Sequence, residues 1–246
     1  MMNKKLKNIL INGAIVLTIL IGLAFILVKP ARNSIMAHKT NQYQIGKISK
    51  KTLQKNKEKP ATFDFEQVQS ISDSEVYQSV ISNSKSADDL PVIAGIAIPE
   101  LNVNLPIFKG VSNEALLYGA GTMKEDQEMG FGNYALASHN VFGIAGASKM
   151  LFAPLINAQK GMKIYLTDKD NVFTYEISSI ETVEPSATYV IDNDSEKTQV
   201  TLVTCTDANA TGRIIVKGDL VKQDTWDNSP EDVKQAFHKK YNQFQS

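Results

Sequence analysis

Cysteine is almost missing from this chain: there is one, Cys205, in 246 residues. A single thiol cannot close an internal disulfide, and with three scattered histidines it lacks the ligand spacing of a zinc site. An excess of charge of either sign is missing too. Lysine and arginine total 26, as do aspartate and glutamate, which excludes the basic sheath of a nucleic-acid binder. No glycine-rich loop is placed to cradle phosphate, and no internal repeat divides the chain. The length allows one ordinary globular domain plus appendages.

What the sequence does have, at its start, is a long uncharged run, "NILINGAIVLTILIGLAFILV", from Asn8 to Val28. About twenty apolar residues at helical rise cross a hydrocarbon core. A cleaved signal has a shorter apolar core and a small-x-small site, so the run reads as an uncleaved anchor. Residues 1–8 are then a cytoplasmic tail and 9–28 a transmembrane helix. Lys4, Lys5 and Lys7 precede the span while Lys29 and Arg32 follow it, a bias that puts the N-terminus inside and the rest outside. Outside the cytoplasm conditions are oxidising and cysteines usually come in pairs. A lone one is buried and inert, bridged to another chain, or a working thiol.

Residues 29–87 read as a polar, lysine-dense stalk, with a short amphipathic helix expected within 64–86 from the spacing of Phe65, Val68, Ile71, Val76, Val80 and Ile81. From about residue 88 to 246 the texture is that of one domain, mainly β. Runs such as "VIAGIAIPELNVNLPIF", "KIYLTD", "VFTYEISSIETV" and "RIIVKGDLV" are short, β-branched and punctuated by Gly, Asn and Asp. Many short strands with few helices indicate a sandwich or a barrel. A helical turn or two is expected over 150–161, ended by Gly161. A tail helix is expected with Ser229 as N-cap, Pro230 at its first position, and an apolar stripe of Val233, Ala236, Phe237, Tyr241 and Phe244.

In "VTLVTC" the alternation puts Thr201, Val203 and Cys205 on one face and Val200, Leu202 and Thr204 on the other. Cys205 is the last residue before a loop of small, turn-forming types, where a thiol is accessible on a fixed backbone. A buried, inert cysteine is the plain alternative. If the next run pairs with this strand, Arg213 returns beside Cys205, where a fixed cation lowers a thiol pKa or stabilises an oxyanion. Of the histidines, His38 lies in the stalk and His238 in the tail helix. Only His139, in "NYALASHNVFG", combines a strand end with the folded domain.

At these residues the sequence resembles the sortases. "TLVTC", Thr201 to Cys205, matches the family's TLxTC signature, and His139 and Arg213 match its catalytic histidine and arginine in order and separation. The resemblance covers about residues 88–225, and "AGIAIPELNVNLPIFKG" and "YGAGTM" look like class A enzymes of streptococcal type. It implies a single eight-stranded sortase-type β-barrel with short helices behind the membrane helix. It implies a cysteine transpeptidase that cuts the LPxTG signal of secreted proteins between Thr and Gly and passes the Thr carbonyl to an amine of a lipid-linked peptidoglycan precursor. Cys205 is then the nucleophile, His139 the proton donor and acceptor, and Arg213 steadies the acyl intermediate or positions the peptide. Thr201 and Val203, with Ala137, Val190 and Ile191, line the peptide groove, and Ser138 and Thr204 are counted with them. The implied location is the Gram-positive cell surface, single-pass, with the catalytic domain outside; no nucleic acid is a partner. No cofactor or metal is expected: where some class A enzymes bind calcium, the matching stretch here has only Glu100, with Ala97, Asn102 and Asn104 nearby, although "IDNDSE" (191–196) leaves room for an ion. Two other readings use the same residues: an anchored cysteine hydrolase, and a catalytically silent peptide-binding module.

Overall fold

A computed structural model describes residues 4–64, 90–142 and 146–239, with backbone alone at 4, 6, 24–37 and 39. The β-branched and aromatic runs form eight strands: β1 (Val92–Ile98), β2 (Val103–Phe108), β3 (Ala120–Thr122), β4 (Asn133–Ala137), β5 (Lys163–Thr167), β6 (Asn171–Val183), β7 (Gln199–Cys205) and β8 (Arg213–Thr225). They close into a barrel in the order β1-β2-β3-β4-β7-β8-β6-β5, with β5 returning to β1. Closure leaves no strand edge open to pair with another chain. Two neighbouring pairs run parallel, β2 with β3 and β4 with β7; the others are antiparallel.

The period-2 alternation divides the strands between two apolar clusters. Ile96, Leu105, Leu136, Leu166, Tyr175, Val200, Leu202 and Val216 belong to the large cluster that fills the barrel. The intervening Ala137, Val203 and Ile215 face the other way. There they meet Val111, Leu116 and Val190 in a second, small cluster. Each large aliphatic side chain so buried contributes about 1.5–3 kcal/mol.

β3 was not expected as a strand. It is three residues long and Thr122 is its one β-branched side chain, so no run of β-formers marks it. Glycine is needed there for close approach: a Cβ on Gly121 would come within 2.3 Å of the Gly110 carbonyl oxygen.

Among the described residues four helices accompany the barrel: α1 (Lys4–Gln42), α2 (Lys50–Lys57), α3 (Asn113–Tyr118) and α4 (Glu231–His238). The expected span of 9–28 lies within α1, and Ile9, Leu10, Leu17 and Leu20 on it are exposed. Among the described residues no helix is long and apolar enough to cross a membrane. The stalk expectation fails for residues 40–64, which pack on the barrel. Tyr43, Ile45 and Leu53 are buried, Leu53 completely. Asn56 Nδ2 donates to the Val92 carbonyl at 2.9 Å. The lysines that suggested a solvated spacer are partly engaged as well: Lys57 pairs with Asp168 at 3.3 Å and Lys50 with Asp170 at 2.8 Å. The short helix expected within 64–86 lies outside the described residues.

Over 150–161 the helical turn is a 3-10 turn, Ala153–Asn157, and Gly161 follows at φ 92°. In the tail, Pro230 occupies the N-cap position of α4, and Ser229 is not the cap. Its hydroxyl donates to the Thr225 carbonyl at 3.0 Å, backwards into the preceding turn. Val233, Ala236 and Phe237 are buried as the stripe predicts, whereas Tyr241 and Phe244 lie outside the described residues.

Candidate active site

Three neighbouring strands carry the three singled-out residues to one end of the barrel. β4 and β7 run parallel in the register Asn133↔Gln199 to Ala137↔Val203. Continuing that register sets His139 abreast of Cys205. Ser138 keeps the ladder going past the strand end: its N–H donates to the Val203 carbonyl at 3.2 Å. Its own carbonyl accepts from Thr204 Oγ1 at 2.9 Å. On the other side of β7 the antiparallel register pairs Cys205 directly with Arg213. Asn140 Nδ2 donates to the Cys205 carbonyl at 2.8 Å, fastening the residue after the histidine to the residue that carries the thiol.

Cys205 is partly exposed and is a free thiol. Burial pushes it above its ordinary pKa, the Arg213 guanidinium pulls it back, and the Asp207 carboxylate pushes it up further. Lowering the thiol pKa is one of the roles the sequence offers Arg213. Here desolvation outweighs Arg213, because the thiolate gives up water on the side where the barrel closes. His139 is 7% exposed and its carbonyl accepts from Phe152 N–H at 3.2 Å. Arg213 Nη1 donates to the carbonyls of Ala210 at 2.9 Å and Gly212 at 3.0 Å, which holds the guanidinium to its own loop.

The groove residues divide. Ala137, Val190 and Val203 meet in the small cluster, with Ile191 partly buried against it. Thr201 is 0% exposed and its hydroxyl donates to Asn133 Oδ1 at 2.7 Å. Asn133 Nδ2 in turn donates to the carbonyls of Val190 and Asp192, at 3.3 and 3.0 Å. Thr201 therefore pins the Thr188–Ile191 turn over the cluster and lines nothing itself. Ser138 and Thr204 are buried braces: Ser138 Oγ donates to the Gly119 carbonyl at 2.6 Å. Among the described residues no group of three His, Cys, Asp or Glu is set to hold a metal ion. A cavity of about 650 Å³, lined by Lys109, Lys124, Asp168 and Phe173 among others, opens at the other end of the barrel, away from Cys205.

A family model described as Sortase domain matches residues 96–221, just over half of the chain. This chain belongs to the sortase family. It is 54% identical to Sortase A of Streptococcus agalactiae over 230 residues, 93% of this chain and 92% of that protein. It is 38% identical to Sortase A of Listeria monocytogenes over 208 residues, 84% of this chain and 90% of that one. The solved structure of the Listeria sortase A covers 59% of this chain and 96% of that one, at 37% identity and a TM-score of 0.54. These relationships make the chain a class A sortase.

Sequence reasoning missed several residues that organise this sortase's site. Asn133 and Asn140 stand in "GNYALASHN" beside residues already singled out, and an asparagine at each end of a strand is the available signal for side-chain ties to neighbouring backbone. Asn193 Oδ1 accepts from both Asn133 N–H at 3.0 Å and Lys124 Nζ at 2.8 Å. Nothing in the linear sequence joins those positions. Asp207 accepts hydrogen bonds from Thr206 Oγ1 at 2.7 Å, Asn209 N–H at 2.8 Å, Thr211 N–H at 3.4 Å and Thr211 Oγ1. The "TDANATG" composition marked that loop only as a turn.

Proposed function

We infer that this chain is a cysteine transpeptidase that anchors LPxTG-bearing surface proteins to the cell wall, cutting the signal between Thr and Gly and transferring the Thr carbonyl to an amine of a peptidoglycan precursor. Its 54% identity to a Sortase A over nearly the whole chain supports the activity. One observation carries the residue assignment: β4, β7 and β8 bring His139, Cys205 and Arg213 side by side. The Cys205 sulfur attacks the threonine carbonyl and the glycine amine leaves, protonated by His139. Arg213, tethered to its loop, steadies the oxyanion as it forms. The amine acceptor then attacks the thioester, and the sulfur leaves and is reprotonated. This chemistry uses thiol, imidazole and guanidinium alone, and a chelator should leave it unchanged.

The apolar end of the peptide belongs against Ala137, Val190, Val203 and Ile191. Because the first three are buried, the peptide reaches them when the Thr188–Ile191 turn lifts. Membrane attachment is the remaining part of the reading. It rests on the uncharged run from Asn8 to Val28 and on the exposed isoleucines and leucines of α1, an apolar surface that water does not favour.

The test is incubation of the full chain with an LPxTG peptide and a primary amine. Mass spectrometry should find a thioester adduct on Cys205 and the amide product. An adduct on no residue, or one that persists in Cys205→Ala, would overturn the assignment.

A further inference from the structure

Resting on that reading, the structure also bears on the second substrate. A primary amine reaches the enzyme as an ammonium ion, so something near the thioester must favour a cation. Two charged side chains flank the Cys205 end of β7: Arg213, paired with Cys205 in the register, and Asp207, two residues further along the chain. The guanidinium has the wrong sign. The carboxylate has the right one, and it sits two residues beyond the nucleophile, on the loop that turns β7 into β8.

The donors that hold Asp207 orient its charge without cancelling it. Two are the hydroxyls of Thr206 and Thr211 and two are the backbone N–H groups of Asn209 and Thr211; all are neutral. Those bonds, the Thr211 hydroxyl first and the Thr206 hydroxyl next, keep the carboxyl ionised, down to about 2. The hydrogen bonds to Asp207 involve no lysine or arginine. Its charge also disfavours the thiolate and so works against the first half-reaction.

We propose that Asp207 recruits the amine acceptor, its carboxylate drawing the ammonium form of the second substrate to the Cys205 end of β7. The ammonium gives up a proton, its nitrogen bonds to the thioester carbon, and the C–S bond breaks. The amide nitrogen retains one hydrogen, the sulfur takes one as thiol, and one proton goes to solvent. The carboxylate acts through its field. The effect is therefore sensitive to salt and to the charge of the acceptor.

Asp207→Asn separates this from a purely architectural role, because the threonine hydroxyls can turn to accept from the new amide. The full chain and the variant are given an LPxTG peptide and either a primary alkylamine, cationic near neutral pH, or hydroxylamine, uncharged there. The variant should raise KM for the alkylamine roughly threefold to tenfold and flatten its dependence on salt. Transfer to hydroxylamine should hold, and acylation should hold or quicken. Asp207→Glu, which restores the charge, should recover the alkylamine KM. Equal losses with both acceptors, or a fall in acylation that Asp207→Glu does not mend, would overturn the proposal and leave Asp207 as a loop brace. If the unmutated chain forms no acyl-enzyme at all, the transpeptidase reading itself falls and takes this one with it.

Discussion

β7 serves two clusters that differ in what they are for. Its Val200 and Leu202 enter the large cluster inside the barrel, while Val203, one residue further on, enters the small one beneath the Thr188–Ile191 turn. The inner set is closed by the whole ring of strands. The outer set is covered by α3, by Val111 and Met123, and by a turn tied through Thr201 and Asn133 to the Val190 and Asp192 carbonyls. One strand thus supplies fold stability on one face and, in the proposed function, borders the peptide site on the other.

Substitutions along β7 and its neighbours test that division. Cys205→Ala should have the largest effect: no acyl-enzyme by mass spectrometry and no turnover, with the melting temperature kept. Arg213→Ala should follow, lowering kcat/KM about a hundredfold to a thousandfold, the usual cost of losing a preorganised oxyanion partner. Leu202→Ala should cost about 2–5 kcal/mol in denaturant unfolding while sparing KM for the peptide in the molecules that remain folded. Ile191→Ala, at the rim of the outer cluster, should do the reverse: a several-fold rise in peptide KM with stability changed by about 0.5 kcal/mol or less. If Leu202→Ala and Ile191→Ala gave the same profile, the division between faces would be lost.

The smallest effects expected are shifts in thiol titration. Burial and Asp207 disfavour the thiolate and Arg213 favours it, with burial dominant. Alkylation of Cys205 should therefore accelerate with rising pH through an inflection above the ordinary thiol value. Asp207→Asn should move that inflection down and Arg213→Ala should move it up. In the proposed mechanism thiolate and imidazolium act together, so the pH profile of turnover should be bell-shaped, with limbs belonging to the pair. A profile flat across the neutral range would count against that coupling.

The alternation of "VTLVTC" was legible because period 2 needs no partner strand to be recognised. It assigned the faces of Val200, Leu202 and Val203 as the structure has them. Thr201 shares the face of Cys205, yet whether such a residue lines a groove or sits sealed under it depends on a distant loop, through Asn133. Residues 40–64 were misread because in the stretch 47–60 six lysines stand against two aliphatic residues, Ile48 and Leu53. Docking takes only Tyr43, Ile45 and Leu53 at widely spaced positions, with ammonium groups reaching partners more than a hundred residues away, as Lys57 does to Asp168. The net sign of the shift at Cys205 was illegible for a related reason: the sequence reveals a nearby cation but not how much water the barrel end removes.

The parallel pairing of β4 with β7 has a consequence in time. Antiparallel neighbours can meet across a short turn, but the stretch from His139 to Cys205 must first lay down β5 and β6 and return across the sheet. Contacts of such long sequence separation form slowly. A chain still emerging in extended form therefore carries an imidazole and a sulfur that have not yet met, and the pair proposed to attack is assembled only when the ring of strands is complete.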